Sequence, residues 1–598
     1  MEIRLKSYPL SVADNQGGGT MNGAFGKILL VNLSDKTSRE EFVPEDIYHQ
    51  FLGGKGLATW LLLRHNPPGV DPLSPENAII FATGPITDTK VFGSCRYGVF
   101  TKSPLTGIYL ESYSGGDVAE PMSRTGYDAV ILRGACSQPT YLEISDRMVR
   151  FHDATRLWGM ETYAAEDAIR QETNIPQSGI VVIGPAGERL VRFAVIENNY
   201  WRSCGRGGAG AVLGAKKVKG LVFWGSQKKT LAYPERLTEL WQETGKRAKD
   251  NPGAIAYKKY GTPMVVAMTN KIGAFPTQYW SRGTYEKWEN ISAEALLADC
   301  DVRPKACPKC FMACGKLSQV KEGRHRGLTL EGPEYETIDA FGGICLIGDI
   351  REILYLNDLC DRLGIDTISA GNLAGFSIEA SHRKQLGFRL EYGDVDGIAN
   401  LLEKIAKLED EGAILAQGIR FAAREWDLED LAVHVKGMDP PGYEPRVLKG
   451  MGLAYATSDR GACHLRSTFY KPELAGIIAP EQIEGKAALF TEWEDRLTLQ
   501  DGLILCRFFR DLYLWEEFAT MICGTLGLEL NKADLRRIAG NILNLAHEYN
   551  LREGVGPSDD ILPNRLLQEP LTDSGKSLPK SELQQMVSEY HSLRGWKE

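Results

Sequence analysis

Residues 305–316 read KACPKCFMACGK, which places Cys307, Cys310 and Cys314 within eight residues. Three thiols so close together suit a soft metal centre. A zinc ribbon needs a second Cys-x2-Cys pair or a histidine pair at knuckle spacing, and the chain offers neither. A [4Fe–4S] cube takes four thiolates, three of which a short loop can supply while a distant cysteine completes the set. The order, two spacer residues and then three, reverses the usual radical-SAM spacing. Spacing alone leaves Cys345, Cys360, Cys463, Cys506 and Cys523 open as the fourth ligand.

The elements that must position these cysteines divide the chain of 598 residues. That length exceeds what one hydrophobic core supports, so several domains are expected. Residues 21–228 carry short β-like runs between Gly/Pro turns, such as GKILLVNLS, AIIFATGPIT, GYDAVILRG and GLVFWG. Beyond them, LTELWQETGKRAKD, REILYLNDLCDRLG, IANLLEKIAKLEDEG and LRRIAGNILNLAHEYN show helical periodicity. The reading is an α+β multidomain protein. A β-rich domain over 21–228 precedes two mainly helical domains, over 229–436 and 437–598, with GMDPPGYEPR opening the last. Residues 1–20, which include QGGGT, read as a flexible leader, and Met21 as a possible start of the compact fold.

Composition narrows the function classes. Charged residues make up 25% and the net charge is -9, with no long basic run, so nucleic acid has no electrostatic footprint here. No stretch approaches the length of a membrane span, and no signal-peptide core opens the chain. Twelve cysteines are too sparse for a disulfide scaffold. A cytoplasmic, reducing location is expected.

Several long motifs carry a resemblance: LEGPEYETI (330–338), LCDRLGIDTISAG (359–371), GLAYATSDRGACHLR (452–466), CGRGGAGAVLGAKKVKG (204–220) and NLREGVGPSDDILPNR (550–565). Together they resemble the aldehyde:ferredoxin oxidoreductase family from about Met21 to the C-terminus. The resemblance implies a tungsten (or molybdenum) bis-pterin cofactor, one [4Fe–4S] cluster and Mg2+ bridging the pterin phosphates. The family's two pterin motifs look like DRLGIDT, with Asp361, Gly364, Ile365 and Asp366, and DGLILCR, with Asp501, Ile504, Leu505 and Cys506. Ile504 stands where Gly is expected. Cys506 is the implied fourth cluster ligand, and each Asp would accept charge-assisted hydrogen bonds from a pterin.

The β-rich domain would then cover the pterins. Arg96 matches an arginine between pterin and cluster. Tyr113, Ser114 and Gly115 match a phosphate and magnesium loop, with Tyr113 where the family often has Asn. Arg202, Ser203, Gly205 and Arg206 offer glycine backbone and guanidinium groups to phosphate. Asp459 and Arg460 match further cofactor contacts.

Glu336 and His464 match the two polar residues nearest the metal. His464 would polarise an aldehyde carbonyl and Glu336 would accept a proton. Tyr335 would add a second donor. His325 and His382 read as surface residues. Tyr355 stands where some relatives carry the Glu of an iron-binding Glu-x-x-His pair, so that iron is not expected. The implied activity is oxidation of a small aldehyde to a carboxylate, with electrons leaving to ferredoxin or an iron–sulfur subunit. Rival readings are a glyceraldehyde-3-phosphate oxidoreductase, a benzoyl-coenzyme A reductase catalytic subunit, and a non-catalytic zinc-stapled binding protein. A homo-oligomer is left open.

Overall fold

The computed structural model describes residues 21–596; the leader reading of residues 1–20 lies outside them. Sheets dominate the first part of the chain and helices the remainder, as the α+β reading expects. The runs rich in Val, Ile and Phe become strands: Lys27–Asn32, Ile79–Ala82, Ala129–Arg133, Thr140–Ile144, Gly179–Val182 and Val218–Phe223. They belong to two six-stranded sheets. Val31, Phe81 and Val99 of one sheet share a core with Leu142, Val181 and Phe223 of the other. Phe81 and Phe223 meet with ring centroids 6.0 Å apart.

The first sheet's other face packs on helices. Ile28, Ile80 and Phe100 share a core with Leu57 and Leu61 of helix Gly54–His65. Leu503, Ile538 and Ile542, more than 400 residues further along the chain, join the same core. The two ends of the sequence are therefore one packed body. Among the described residues no helix is long and apolar enough to cross a membrane.

Three local structures position the site. In the first sheet, Tyr97 and Ser114 are antiparallel partners, so Arg96 and Gly115 emerge at the same sheet end.

The cysteine stretch is the loop of a β-hairpin. Strand Cys300–Lys305 pairs with Gly315–Val320, and Lys305 faces Gly315 across the loop's base. A third strand, Thr329–Glu331, completes this small sheet. It has no sequence forecast, because its strands are mostly charged or polar and lack apolar alternation.

The two look-alike motifs are two helix C-termini of the same design. Helix Ile350–Leu363 ends on Gly364 in the left-handed region, φ 77°, and Ile365 N–H reaches back to Cys360 O at 2.9 Å. Helix Lys486–Leu503 ends on Ile504 at φ 53°, and Leu505 N–H reaches Gln500 O at 2.8 Å. Both are Schellman-type ends, in which a left-handed residue lets the next amide close on the helix's last carbonyls. Ile504 thus adopts the glycine conformation despite its branched side chain.

Candidate active site

These three structures converge on a cavity of about 340 Å3. Of the residues expected to act in catalysis, to hold the cluster or to bind the pterin cofactor, all but Asp459, Gly364 and Ile504 line it. Asp459 lies behind its wall, in an adjoining cavity of about 30 Å3 shared with Lys55, Arg466 and Asp501.

At one end are the thiols of Cys307, Cys310, Cys314 and Cys506. The other cysteines left open by spacing lie elsewhere: Cys345 donates to Ala340 O and Gly371 O, and Cys523 sits beside Arg236. Gly116 N–H points at Cys307 Sγ at 3.3 Å, and Arg96 Nη1 lies 3.9 Å from Cys506 Sγ. Cys95, which sequence reasoning passed over although it precedes Arg96, is hydrogen-bonded to Cys307. A Cβ on Gly115 would come within 3.0 Å of Cys307 Sγ, so only glycine fits there without displacing the thiol.

The two motif aspartates line the middle of the cavity in opposite electrostatic settings. Asp501 Oδ2 is 2.8 Å from Arg466 Nη1 and 2.7 Å from Arg507 Nη2. The Asp361 carboxylate accepts from Asn357 Nδ2 at 2.8 Å; burial, then Asp358 and Glu331, hold it well above the carboxylate range. Beside Asp361, burial likewise raises Glu197, whose Oε2 has no partner.

Behind Asp501 runs a largely buried ion network that spacing could not show. Lys55 Nζ contacts Glu111 at 2.9 Å and Asp459 at 2.5 Å, and Arg466 Nη1 contacts Glu111 at 2.6 Å. Burial would raise Glu111, but Arg466 and Lys55 outweigh it and hold this carboxyl well below its usual value. Tyr113 donates its hydroxyl to Glu111 at 2.6 Å, so its side chain serves the network. Its carbonyl accepts from Arg96 Nη2 at 2.8 Å. The only sequence signals were the GGKG run at 53–56 and Arg466 at the end of GACHLR.

Of the proposed phosphate arginines, Arg202 is paired with Glu331. Arg206 Nε lies 2.9 Å from Asp366, and its Nη2 donates to Asp439 O at 2.6 Å.

The reacting pair lies deeper. Glu336 is in the short helix Tyr335–Ile338, which runs on into a π-turn, Asp339–Gly343. His464 Nε2 is 3.3 Å from Glu336 Oε1. Burial pushes Glu336 up to about 8, although Gly442 N–H donates to its Oε2 at 2.8 Å. Burial first, then Arg206, Arg460, Arg466 and Arg510, hold His464 well below the usual imidazole value. Near neutral pH both partners are uncharged, and the contact is an acid–imidazole pair rather than an ion pair.

Tyr335, expected as a second donor, points its hydroxyl at the Gly442 peptide. Its hydroxyl donates to Gly442 O and lies 3.2 Å from Thr269 Oγ1, so it fixes the peptide whose N–H holds Glu336. The aromatic wall instead continues through Tyr443, whose ring centroid is 5.8 Å from that of His464, and Tyr470, stacked on Tyr443 at 4.1 Å. His325, expected at the surface, is packed against Tyr355 with centroids 4.4 Å apart and bonded to Glu352 at 2.8 Å.

Fully enclosed atoms without a hydrogen-bond partner ring this cavity: Arg206 Nη1, Arg460 Nε, His464 Nδ1 and Glu197 Oε2. Buried polar groups are rarely left unmet. With four thiols at one end, this donor set fits a large polar cofactor beside an iron–sulfur cluster. Asp361 and Asp501 would receive a pterin's N–H groups, and Arg206 its phosphate oxygens.

Thiols backed by arginines, next to a neutral acid–imidazole pair in one cavity, suit an oxidoreductase. Comparison with known proteins gives the family. Residues 28–225 match the N-terminal domain of aldehyde ferredoxin oxidoreductase, and residues 239–598 match its domains 2 and 3. The chain is 35% identical to the tungsten-containing aldehyde ferredoxin oxidoreductase of Pyrococcus furiosus, over 97% of each chain. It is 30% identical to the WOR-like subunit of an aliphatic sulfonate oxidoreductase from the same organism, over 73% of this chain and 74% of that one. Its fold matches a solved active-site complex, BamBC of benzoyl coenzyme A reductase with 1,5-dienoyl-CoA. That match has a TM-score of 0.82 at 23% identity, covering 97% and 95% of the two chains. The protein belongs to the aldehyde ferredoxin oxidoreductase family.

Proposed function

We propose that this protein is a cytoplasmic tungsten-dependent enzyme that oxidises aldehydes to carboxylates and passes the electrons to ferredoxin or a partner iron–sulfur subunit. The observation that carries the reading is the Glu336–His464 pair, enclosed in the same chamber as four thiols and the two motif aspartates. Overall, aldehyde and water give carboxylate, three protons and two electrons. When bound, a tungsten bis-pterin with its Mg2+ and a [4Fe–4S] cluster supplies the two-electron acceptor and the one-electron exit.

The chain's own residues do the rest. Cys307, Cys310, Cys314 and Cys506 hold the cluster. Asp361, Ile365 and Asp366 hold one pterin, and Asp501 and Leu505 the other. Arg96, whose Nη1 is 3.9 Å from Cys506 Sγ, would link pterin and cluster. Tyr113 and Gly115 through their backbone, together with Arg202, Ser203, Gly205, Arg206 and Arg460, face the cofactor's phosphate side. Asp459 acts at one remove, by fixing Lys55. Neutral His464 donates a hydrogen bond to the aldehyde oxygen and makes its carbon electrophilic. Ionised Glu336 takes the proton of the attacking water, and Tyr335, through Gly442, keeps it aimed.

The test is an assay of simple aldehydes with a viologen dye, together with metal analysis of the purified protein. Reduction of dye, with tungsten and about four irons per chain, is the expected result. Inactivity toward every aldehyde, or zinc in place of iron and tungsten, would overturn the reading.

A further inference from the structure

Cys95 is a fifth thiol at the cluster end of the cavity, and the proposed chemistry does not use it. It is buried and lines the cavity together with Cys307, Cys310, Cys314 and Cys506. It is hydrogen-bonded to Cys307 and lies close enough to Cys506 and Cys310 to feel their charge. A [4Fe–4S] cube takes four thiolates, so one of the five is left over. The hairpin loop brings three and the end of helix Lys486–Leu503 brings the fourth. Cys95 stands outside that set, on the loop that leads into strand Tyr97–Lys102.

That loop is held on both sides of the thiol. Thr89 Oγ1 donates to Ile86 O at 2.7 Å and accepts from Val91 N–H at 3.2 Å, and Ser94 Oγ donates to Val91 O at 2.7 Å. Gly93 O accepts from Cys506 N–H at 2.9 Å, and Arg96 Nη2 donates to Tyr113 O at 2.8 Å. One short loop therefore touches two ligands, Cys506 through Gly93 and Arg96, and Cys307 through Cys95. Cys307 is also met by Gly116 N–H at 3.3 Å, and the guanidiniums of Arg202 and Arg96 favour its negative charge. Cys310 is met by the amides of Met312 and Ala313.

One-electron reduction of a cluster adds negative charge to its thiolates. Hydrogen bonds to the ligand sulfurs stabilise that charge and raise the reduction potential, and a thiol S–H can act as such a donor, though a weak one. We propose that Cys95 is not a ligand but a positioning residue for Cys307: its S–H donates to the ligand sulfur and holds the cluster's potential above the value that the amides and arginines alone would set. No bond breaks and no proton leaves Cys95 when the electron arrives. The cluster then fills more readily from the cofactor side, and its electron leaves to the external carrier from a raised potential. This rests on the reading that Cys307, Cys310, Cys314 and Cys506 hold a [4Fe–4S] cluster.

The experiment is a redox titration of the purified protein, followed by the cluster's electron paramagnetic resonance, in the wild type, Cys95→Ala and Cys95→Ser, with iron counted in each. All three are expected to hold about four irons per chain. In Cys95→Ala the midpoint falls, so that at the wild type's midpoint the reduced-to-oxidised ratio drops about tenfold, equivalent to about 59 mV for one electron. Cys95→Ser, whose hydroxyl still donates but reaches less far, lies between the two. Electron–nuclear double resonance on the reduced wild type should show a coupled proton that exchanges in deuterium oxide and is absent from Cys95→Ala. This reading of the wild type against Cys95→Ser stands even where the alanine variant fails to fold. A full cluster with an unchanged midpoint in Cys95→Ala overturns the tuning role and leaves the cluster standing, whatever happens to Tm, since that marks a purely structural cysteine. A Cys95→Ala protein that loses an iron, beside a Cys307→Ala protein that keeps all four, makes Cys95 the ligand and overturns the proposal too. A wild type without iron overturns the cluster reading itself.

Discussion

Glu336 works only if it can ionise, and its burial sets the pH at which it does. Its carboxyl is pushed up to about 8, so the fraction of active base rises with pH through that value. The rate should therefore climb from pH 6 to pH 9, with an inflection near 8, and Glu336→Gln should abolish that limb. A lost general base costs on the order of 10²- to 10⁴-fold in turnover, while tungsten and iron content should hold. A Gln variant with a normal rate and the same inflection would assign the proton to another group. Stability runs the other way. Between the ordinary carboxylate value and about 8 the folded state holds a proton that the unfolded chain has released, so Glu336 costs stability as pH rises through that window. Individual site residues were legible because they sit in long contiguous motifs: GPEYE carried Glu336, GACHLR carried His464, and DGLILCR carried Asp501 and Cys506. Lys55 and Glu111 were not. Lys55 finds Glu111 56 residues away and Asp459 404 residues away, and charges paired only by folding leave no local pattern.

Elements built from apolar periodicity were equally legible, and the hairpin was not. DVRPK and GKLSQV look like loop because they lack apolar alternation and their pairing is made by the backbone. Ile504 shows where a motif mismatch meets the geometry. The helix end needs a left-handed residue, which costs a branched side chain about 1–2 kcal/mol. Against this, Ile504 is 1% exposed and packed in the core between helix Gly54–His65 and the first sheet. It meets the backbone closely at Gly54, where a Cβ would lie 2.5 Å from Ile504 Cγ1. Truncating a buried Ile costs about 2–5 kcal/mol, so packing exceeds strain. Ile504→Gly, which supplies the residue expected at this helix end, should lower stability by about 1–3 kcal/mol, read as a fall in Tm. A gain would mean that strain, not packing, dominates this turn. Gly364 has no such latitude, since a Cβ there would meet the Gly184 backbone at 2.9 Å.

At the scale of the whole molecule, the thiols join parts of the chain that the sequence keeps far apart. Three sit on a hairpin loop beside the first sheet's end, and the fourth follows a helix about 190 residues beyond Cys314, a separation at which loop closure is entropically expensive. Gly93 O accepts from Cys506 N–H at 2.9 Å, and Gly116 N–H reaches Cys307 Sγ, so the sheet's loops hold both sides. A cluster on these four thiols is then a cross-link. By the chain-entropy argument used for disulfides, closing so long a loop removes roughly 5 kcal/mol of freedom from the unfolded chain. Removing iron from the wild type with a chelator should lower Tm by several degrees and open the 306–314 loop to protease. Cys506→Ala should start from the lower Tm, with the cluster's absorbance lost, and chelation should lower it no further, because the link between hairpin and helix is already gone. If chelation shifts both proteins equally, or if the variant keeps a full set of four irons, then Cys506 is not the residue that closes this cross-link, and the two ends of the chain are held by their shared core alone.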